Sequence, residues 1–163
     1  MEIISDQMLK TKYAVLNIAD IEAIIRSVKI CRLGMVDGEY AYIVPLNFGY
    51  DKGVLYFHMG SKGQKIDLLK ANPRVTFEMD IEHSLKESEN ACDWNMFYQS
   101  VMGKGIASFV EELEQKKHAL NIIMKQYLKK DWTFPAEKVA ITTILMVEIE
   151  SISARSNFKQ ENS

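Results

Sequence analysis

Long apolar runs, surplus charge and cysteine are all scarce in this chain of 163 residues. No stretch approaches the roughly 18 consecutive apolar residues that a membrane-spanning helix needs. The first residues, Met1 to Lys12, contain no apolar signal core. The formal net charge is -2, so no general basic field attracts nucleic acid. The two cysteines, Cys31 and Cys92, lie far apart in sequence and make no disulfide framework; free thiols in a reducing compartment are the expectation. The three histidines, His58, His83 and His118, have no metal-ligand spacing with each other or with the cysteines, so no metal site is expected. Repeats and low-complexity segments are absent. These absences point to a cytoplasmic protein with neither membrane nor nucleic-acid partners.

What is present fits a single domain over 1–163. Hydrophobic residues make up 47% and charged residues 26% of the chain, enough apolar material for a real core. Residues 1–18 read as an irregular arm and 157–163 as a polar tail. Asp20 is a candidate cap for a short amphipathic helix, followed by Ile21, Ile24, Ile25 and Val28 at helical spacing. "KICRLGMV" reads as a strand, "DGEY" as a hairpin turn and "YAYIVPLNFGY" as the second strand. Pro45 cannot donate a ladder hydrogen bond, which places that strand at an edge or a bulge. "VLYFHM" is the third strand. A helix over 63–71 follows, stopped by Asn72-Pro73.

"RVTFEMDI" is the fourth strand, and the polar residues 82–94 predict a mobile loop. "MFYQSVMGKGIASFVE" is a long fifth strand, in which Gly103 and Gly105 suggest a bend or a close backbone approach. Glu111 and Glu112 open another helix, "DWTFPAEK" is a loop, and "ITTILMVEIESISAR" is the last strand. Six strands joined largely by hairpins predict a mainly β, α+β fold. Its strands pair antiparallel in a closed or nearly closed barrel, with helices at its flanks. Met35, Met96, Met102, Met124 and Met146 are expected to fill the core, Cys31 to be a small buried hydrophobe, and Trp94 and Trp132 to anchor loops.

One connection stands out chemically. In "FHMGSKGQKIDLLKANPRV" a strand ends in a histidine, turns through Ser61-Lys62-Gly63 and enters a helix. The free N–H groups of a first helical turn favour an anion, Ser61 adds a hydroxyl, and Lys62 and Lys65 add charge. The same serine could simply cap the helix, with both lysines solvated. No G-x-G-x-x-G or G-x-x-x-x-G-K motif is present.

Residues 44–78, "VPLNFGYDKGVLYFHMGSKGQKIDLLKANPRVTFE", resemble the FMN-binding split-barrel family related to pyridoxamine 5'-phosphate oxidase. The resemblance is greatest to its Nim branch, associated with 5-nitroimidazole resistance. It continues through "ICRLGMVDGEYAYIVPLNFGY", "YQSVMGKGIASFVEELEQKKHALNIIMKQY" and "VEIESISARS", covering most of 20–156. The resemblance implies an antiparallel six-stranded split barrel that forms a homodimer with FMN at the interface. It implies that Pro45, Leu46, Asn47 and Phe48 run along the flavin ring, and that Phe57, His58 and Met59 end a strand beside it. Ser61, Gly63, Gln64 and Lys65 match the phosphate-binding turn. Ser100, Val101 and Gly103 match the strand that approaches the cofactor from the partner subunit. His58 is the candidate catalytic residue, able to pass a proton to a reduced nitro group or to hold an anion. Many family members carry arginine where this chain has Gln64, which removes one charge-assisted phosphate contact, roughly 1 kcal/mol or more.

The implied function is an FMN-dependent oxidoreductase that takes electrons from NAD(P)H or another reduced donor. It passes them to a small acceptor such as a nitroaromatic or 5-nitroimidazole compound. The alternative is a non-catalytic flavin- or haem-binding split-barrel protein. The extra cationic motifs of pyridoxamine phosphate oxidation itself are not found.

Overall fold

The computed structural model of the protein describes residues 2–3, 13–15 and 17–158, the first pair by its backbone. The remainder of the expected arm 1–18, and residues 159–163 of the expected tail, lie outside the described residues.

The described strands are β1 (Glu2–Ile3), β2 (Ala14–Val15), β3 (Cys31–Asp37), β4 (Tyr40–Leu46), β5 (Gly49–Asp51), β6 (Val54–Met59), β7 (Arg74–Lys86), β8 (Asn95–Val110) and β9 (Thr143–Ser156). The helices are α1 (Ile18–Ser27), α2 (Gln64–Ala71), α3 (Leu113–Tyr127) and α4 (Ala136–Ile141). The strands form one sheet in the order β4-β3-β7-β8-β9-β6-β5, with β1 and β2 added to the later half of β9. Apart from the short parallel β1 contact, every described ladder is antiparallel. The sheet wraps a main core in which Leu33, Phe48, Phe57, Phe77, Met79, Leu145 and Ile152 are almost wholly buried, and a smaller cluster of Val110, Ala119 and Ile144 lies apart from it. This is the mainly β split barrel with flanking helices.

Nine strands replace the expected six because the sheet includes two short pairings onto β9 and because the second strand is broken. The break falls at Asn47–Phe48, between β4 and β5. It is stabilised by Tyr127 of α3, whose hydroxyl accepts the Phe48 N–H at 2.9 Å and the Asn47 Nδ2–H at 3.2 Å and donates to the Lys29 carbonyl at 2.8 Å. The edge placement of Pro45 holds: β4 ends the ladder path and, among the described residues, pairs with β3 alone.

Other expectations are corrected. Asn17, not Asp20, caps α1, its Oδ1 accepting the Ala19 N–H at 2.9 Å; Asp20 sits in the first turn. The expected loop 82–94 is shorter than predicted: Glu82–Lys86 belong to the ladder and only 87–94 connect the strands. β7 runs on to Lys86 against β8, with a bulge at Glu82/Ser84, and a short 3-10 turn at Ala91–Asp93 closes the hairpin. Within "DWTFPAEK" the chain starts α4, which Lys116 holds by donating to the carbonyls of Thr142 at 3.0 Å and Ala140 at 3.4 Å. Met35 is in the core, but Met102 is 53% exposed. Cys31 is buried and free, and burial pushes its thiol well above the usual range, so it is no nucleophile near neutral pH. Trp94 anchors its own turn, its Nε1–H donating to the Ser88 carbonyl at 2.6 Å.

Candidate functional site

Strand alternation decides which candidate residues can meet a ligand. Across the sheet, Pro45, Arg32, Glu78 and Met102 are successive register partners, so they share one face. That face is the outer one. Ser100, two residues from Met102, lies on it too, between Asp80 and Arg155. Val101 and Gly103 face inward. Val101 is fully buried, and a Cβ built on Gly103 would strike the Phe77 ring and the Ser151 carbonyl. Phe48, Phe57 and Met59 are likewise core side chains, which leaves His58 as the outward residue at the end of β6.

The outer face carries a groove of about 600 Å³. Val36, Tyr40, Ile43 and Met102 make its walls apolar, and Arg32, Arg74, Glu39 and Glu78 place charge around them. Such a volume suits a drug-sized ring system. Arg32 is held between two acids: it donates to Glu78 at 2.9 Å and to Asp80, and these bonds, Asp80 first, raise the guanidinium further above its already high range. Burial raises the Glu78 carboxyl above its usual range; the Arg32 hydrogen bond opposes this and the Asp80 charge adds to it. Neither Arg32 nor Glu78 stood out in the sequence, because their association joins strands 46 residues apart.

His58 lines a second, smaller cavity of about 210 Å³ with Leu120, Ile123 and Met124 of α3 and Phe134, Lys138, Val139 and Thr142 around α4. That space is too small for a tricyclic ring but accepts a small molecule.

The turn between β6 and α2 follows His58 in the chain and is joined to the end of β3 beside the groove. His58 precedes Ser61 by three residues, so their Cα atoms are at most about 11 Å apart. On the other side, Gln64 Nε2–H donates to Asp37 Oδ2 at 2.6 Å, and Gly38 and Glu39 beyond Asp37 line the groove. The helix is capped by Gly63, at φ 111°, and no side chain caps it; Ser61 is exposed and its hydroxyl is not the cap. A Cβ built on Gly60 or Gly63 meets nothing within 4 Å, so the turn is open. Among the described residues Lys62 and Lys65 make no ion pair. An open turn with two unpaired cations and helical N–H groups at α2 fits a phosphate; Gln64, already engaged, fits it poorly.

Comparison with known proteins agrees with this architecture. The family model described as pyridoxamine 5'-phosphate oxidase matches residues 17–156, and the chain belongs to that family. Among solved structures it is similar to a protein from Bacteroides thetaiotaomicron named as a "putative 5-nitroimidazole antibiotic resistance protein". The two are 32% identical over 87% of this chain and 85% of that one, with a TM-score of 0.79. The fold is also shared with the flavocytochrome Anf3 from Azotobacter vinelandii, at 17% identity, 98% and 77% coverage and a TM-score of 0.80. An FAD-binding protein from Mesorhizobium loti shares it at 24% identity, 88% and 96% coverage and a TM-score of 0.64. No curated protein matches the chain.

Proposed function

We propose that the chain is an FMN-binding flavoprotein, acting as a cytoplasmic homodimer, that reduces small acceptors such as nitroaromatic compounds with electrons from NAD(P)H or another reduced donor. The observation that carries this reading is the open, cationic turn Ser61–Lys65, which follows His58 and is joined through Gln64 to Asp37 next to the groove residues Gly38 and Glu39. Ser61, the α2 N–H groups, Lys62 and Lys65 would hold the phosphate, and the groove would take the ring. Pro45 would stand beside it on the β4 edge, which pairs only with β3 among the described residues; Leu46 packs against the core and Asn47 is held by Tyr127, so these two would reach the ring only through their backbone.

Flavin supplies the electron chemistry when bound. The chain supplies binding, orientation and a proton. His58 presents an imidazole at the wall of a cavity whose other sides are largely apolar, which suits a small flat acceptor and a group that can give it a proton. The 5-nitroimidazole name of the Bacteroides protein supports the acceptor class. Exposed Tyr40, Ile43, Val36 and Met102 form an apolar outer face that a second copy would cover, with Ser100 brought to the site by that copy. Two unpaired cysteines accord with a reducing compartment.

The test is an absorption spectrum of the purified protein with and without added FMN, followed by fluorescence titration. Saturable quenching of FMN at micromolar protein, weakened at least tenfold by Lys65→Ala, is the expected result. A Soret band in place of flavin bands would establish the haem-binding alternative, and absence of any FMN binding would overturn the cofactor assignment.

A further inference from the structure

Gln64 opens α2 and stands in the middle of the turn assigned to the phosphate, yet its amide points to a carboxylate. Its Nε2–H donates to Asp37 Oδ2 at 2.6 Å, and Asp37 makes no ion pair among the described residues. The two residues come from different elements, Asp37 from the end of β3 and Gln64 from the start of α2, 27 positions apart. A neutral amide leaves the Asp37 charge uncompensated, within hydrogen-bonding reach of the residue that should greet the anion. An arginine at the same position would have five N–H donors and a positive charge, enough to hold Asp37 and a phosphate together. Glutamine has two N–H donors and no charge. Turned toward Asp37 it gives little to the phosphate; turned toward the phosphate it leaves Asp37 facing a like charge.

We propose that Asp37 is a specificity-determining residue for the cofactor: its carboxylate, held at the turn by Gln64, opposes a dianionic phosphate monoester and reduces the preference for FMN over riboflavin. The proposal rests on the FMN reading of the turn. Lys62 and Lys65 retain some phosphate affinity, and Asp37 sets how much of it survives. The contribution of the ring is untouched, because riboflavin and FMN carry the same isoalloxazine.

Asp37→Asn removes the charge and preserves the hairpin. Asp37 is the last residue of β3 and pairs with Tyr40 across the Gly38-Glu39 turn; the positive φ of 60° falls on Gly38, so asparagine at 37 makes no new demand on the turn. Affinities for FMN and for riboflavin are measured by fluorescence titration on the intact protein, for wild type, Asp37→Asn, Gln64→Arg and Lys65→Ala. Asp37→Asn should tighten FMN binding about tenfold, the scale of one partly screened charge, and leave riboflavin unchanged. Gln64→Arg should tighten FMN at least as much. If Lys65→Ala weakens FMN while Asp37→Asn leaves it unchanged, the proposal is overturned and the phosphate turn stands. If neither variant alters the FMN-to-riboflavin ratio, the phosphate lies elsewhere and both readings fail.

Discussion

Tyr127 and Tyr50 show how single hydroxyl groups hold the frame around the candidate site. The Tyr127 hydroxyl serves Phe48, Asn47 and Lys29 at once, where β4 gives way to β5. Tyr127→Phe leaves the half-buried Phe48 N–H without its acceptor and should cost about 1–3 kcal/mol in urea unfolding. It should also weaken FMN binding, because Asn47 at the strand end loses its anchor. Tyr50 is buried in the core and donates to Glu22 Oε1 at 2.7 Å. Burial first, then the Glu22 bond, pushes its phenol up to about 12. The folded state therefore keeps this proton longer than the unfolded chain, whose tyrosines titrate near about 10. That stabilisation is complete below the unfolded value and is lost as pH rises toward the folded one. Urea midpoints between pH 9 and pH 12 should fall more steeply in the wild type than in Tyr50→Phe.

At the level of elements, β5 and α3 meet without side chains between them. A Cβ at Gly49 would lie 2.5 Å from the Ile123 nitrogen and 2.6 Å from its Cα, backbone that cannot rotate away. Gly49→Ala should lower stability by about 3 kcal/mol in chemical denaturation and separate α3 from the strand end it braces. Hairpins such as β5–β6 were legible in the sequence because alternation and turn residues agree there. The Lys52-Gly53 turn takes φ 44° and 84°, the pair of positive values that a two-residue hairpin favours. The far half of β7 was not legible: Glu82 to Lys86 are mostly exposed, so no apolar period marks them, and their order comes from pairing with β8. α4 is six residues long and depends on Lys116 of α3 to satisfy its last carbonyls, a tertiary contact that no local pattern announces. The candidate site divided the same way. The Ser61–Lys65 turn lies within one stretch and could be read directly, whereas Asp37, Arg32 and Glu78 reach it or the groove only through folding.

Across the whole molecule, the groove face gathers four of the exposed large hydrophobic side chains of the described residues, Val36, Tyr40, Ile43 and Met102. Tyr40 is 79% exposed and Ile43 is 62% exposed, three positions apart on an edge strand, and both line the groove. A second copy over this face would cover both and would close the groove that is proposed to take the flavin ring. Ile43→Glu should therefore convert a dimer to a monomer in light scattering and lose FMN binding in the same step, while the circular dichroism spectrum stays that of the folded barrel. A dimer that persists with Ile43→Glu would place the partner elsewhere.

The seam of the barrel is β9, which joins β8 to β6 and also receives β1 and β2. It follows every other described strand in the chain. During synthesis, β6 and β8 are made long before the strand that links them, and each waits with an unsatisfied edge until the residues beyond Thr143 leave the ribosome. The interval between making β8 and making β9 is when both edges stay open, and α3, which falls between them in the chain and packs on β5 and β6, is made in that interval.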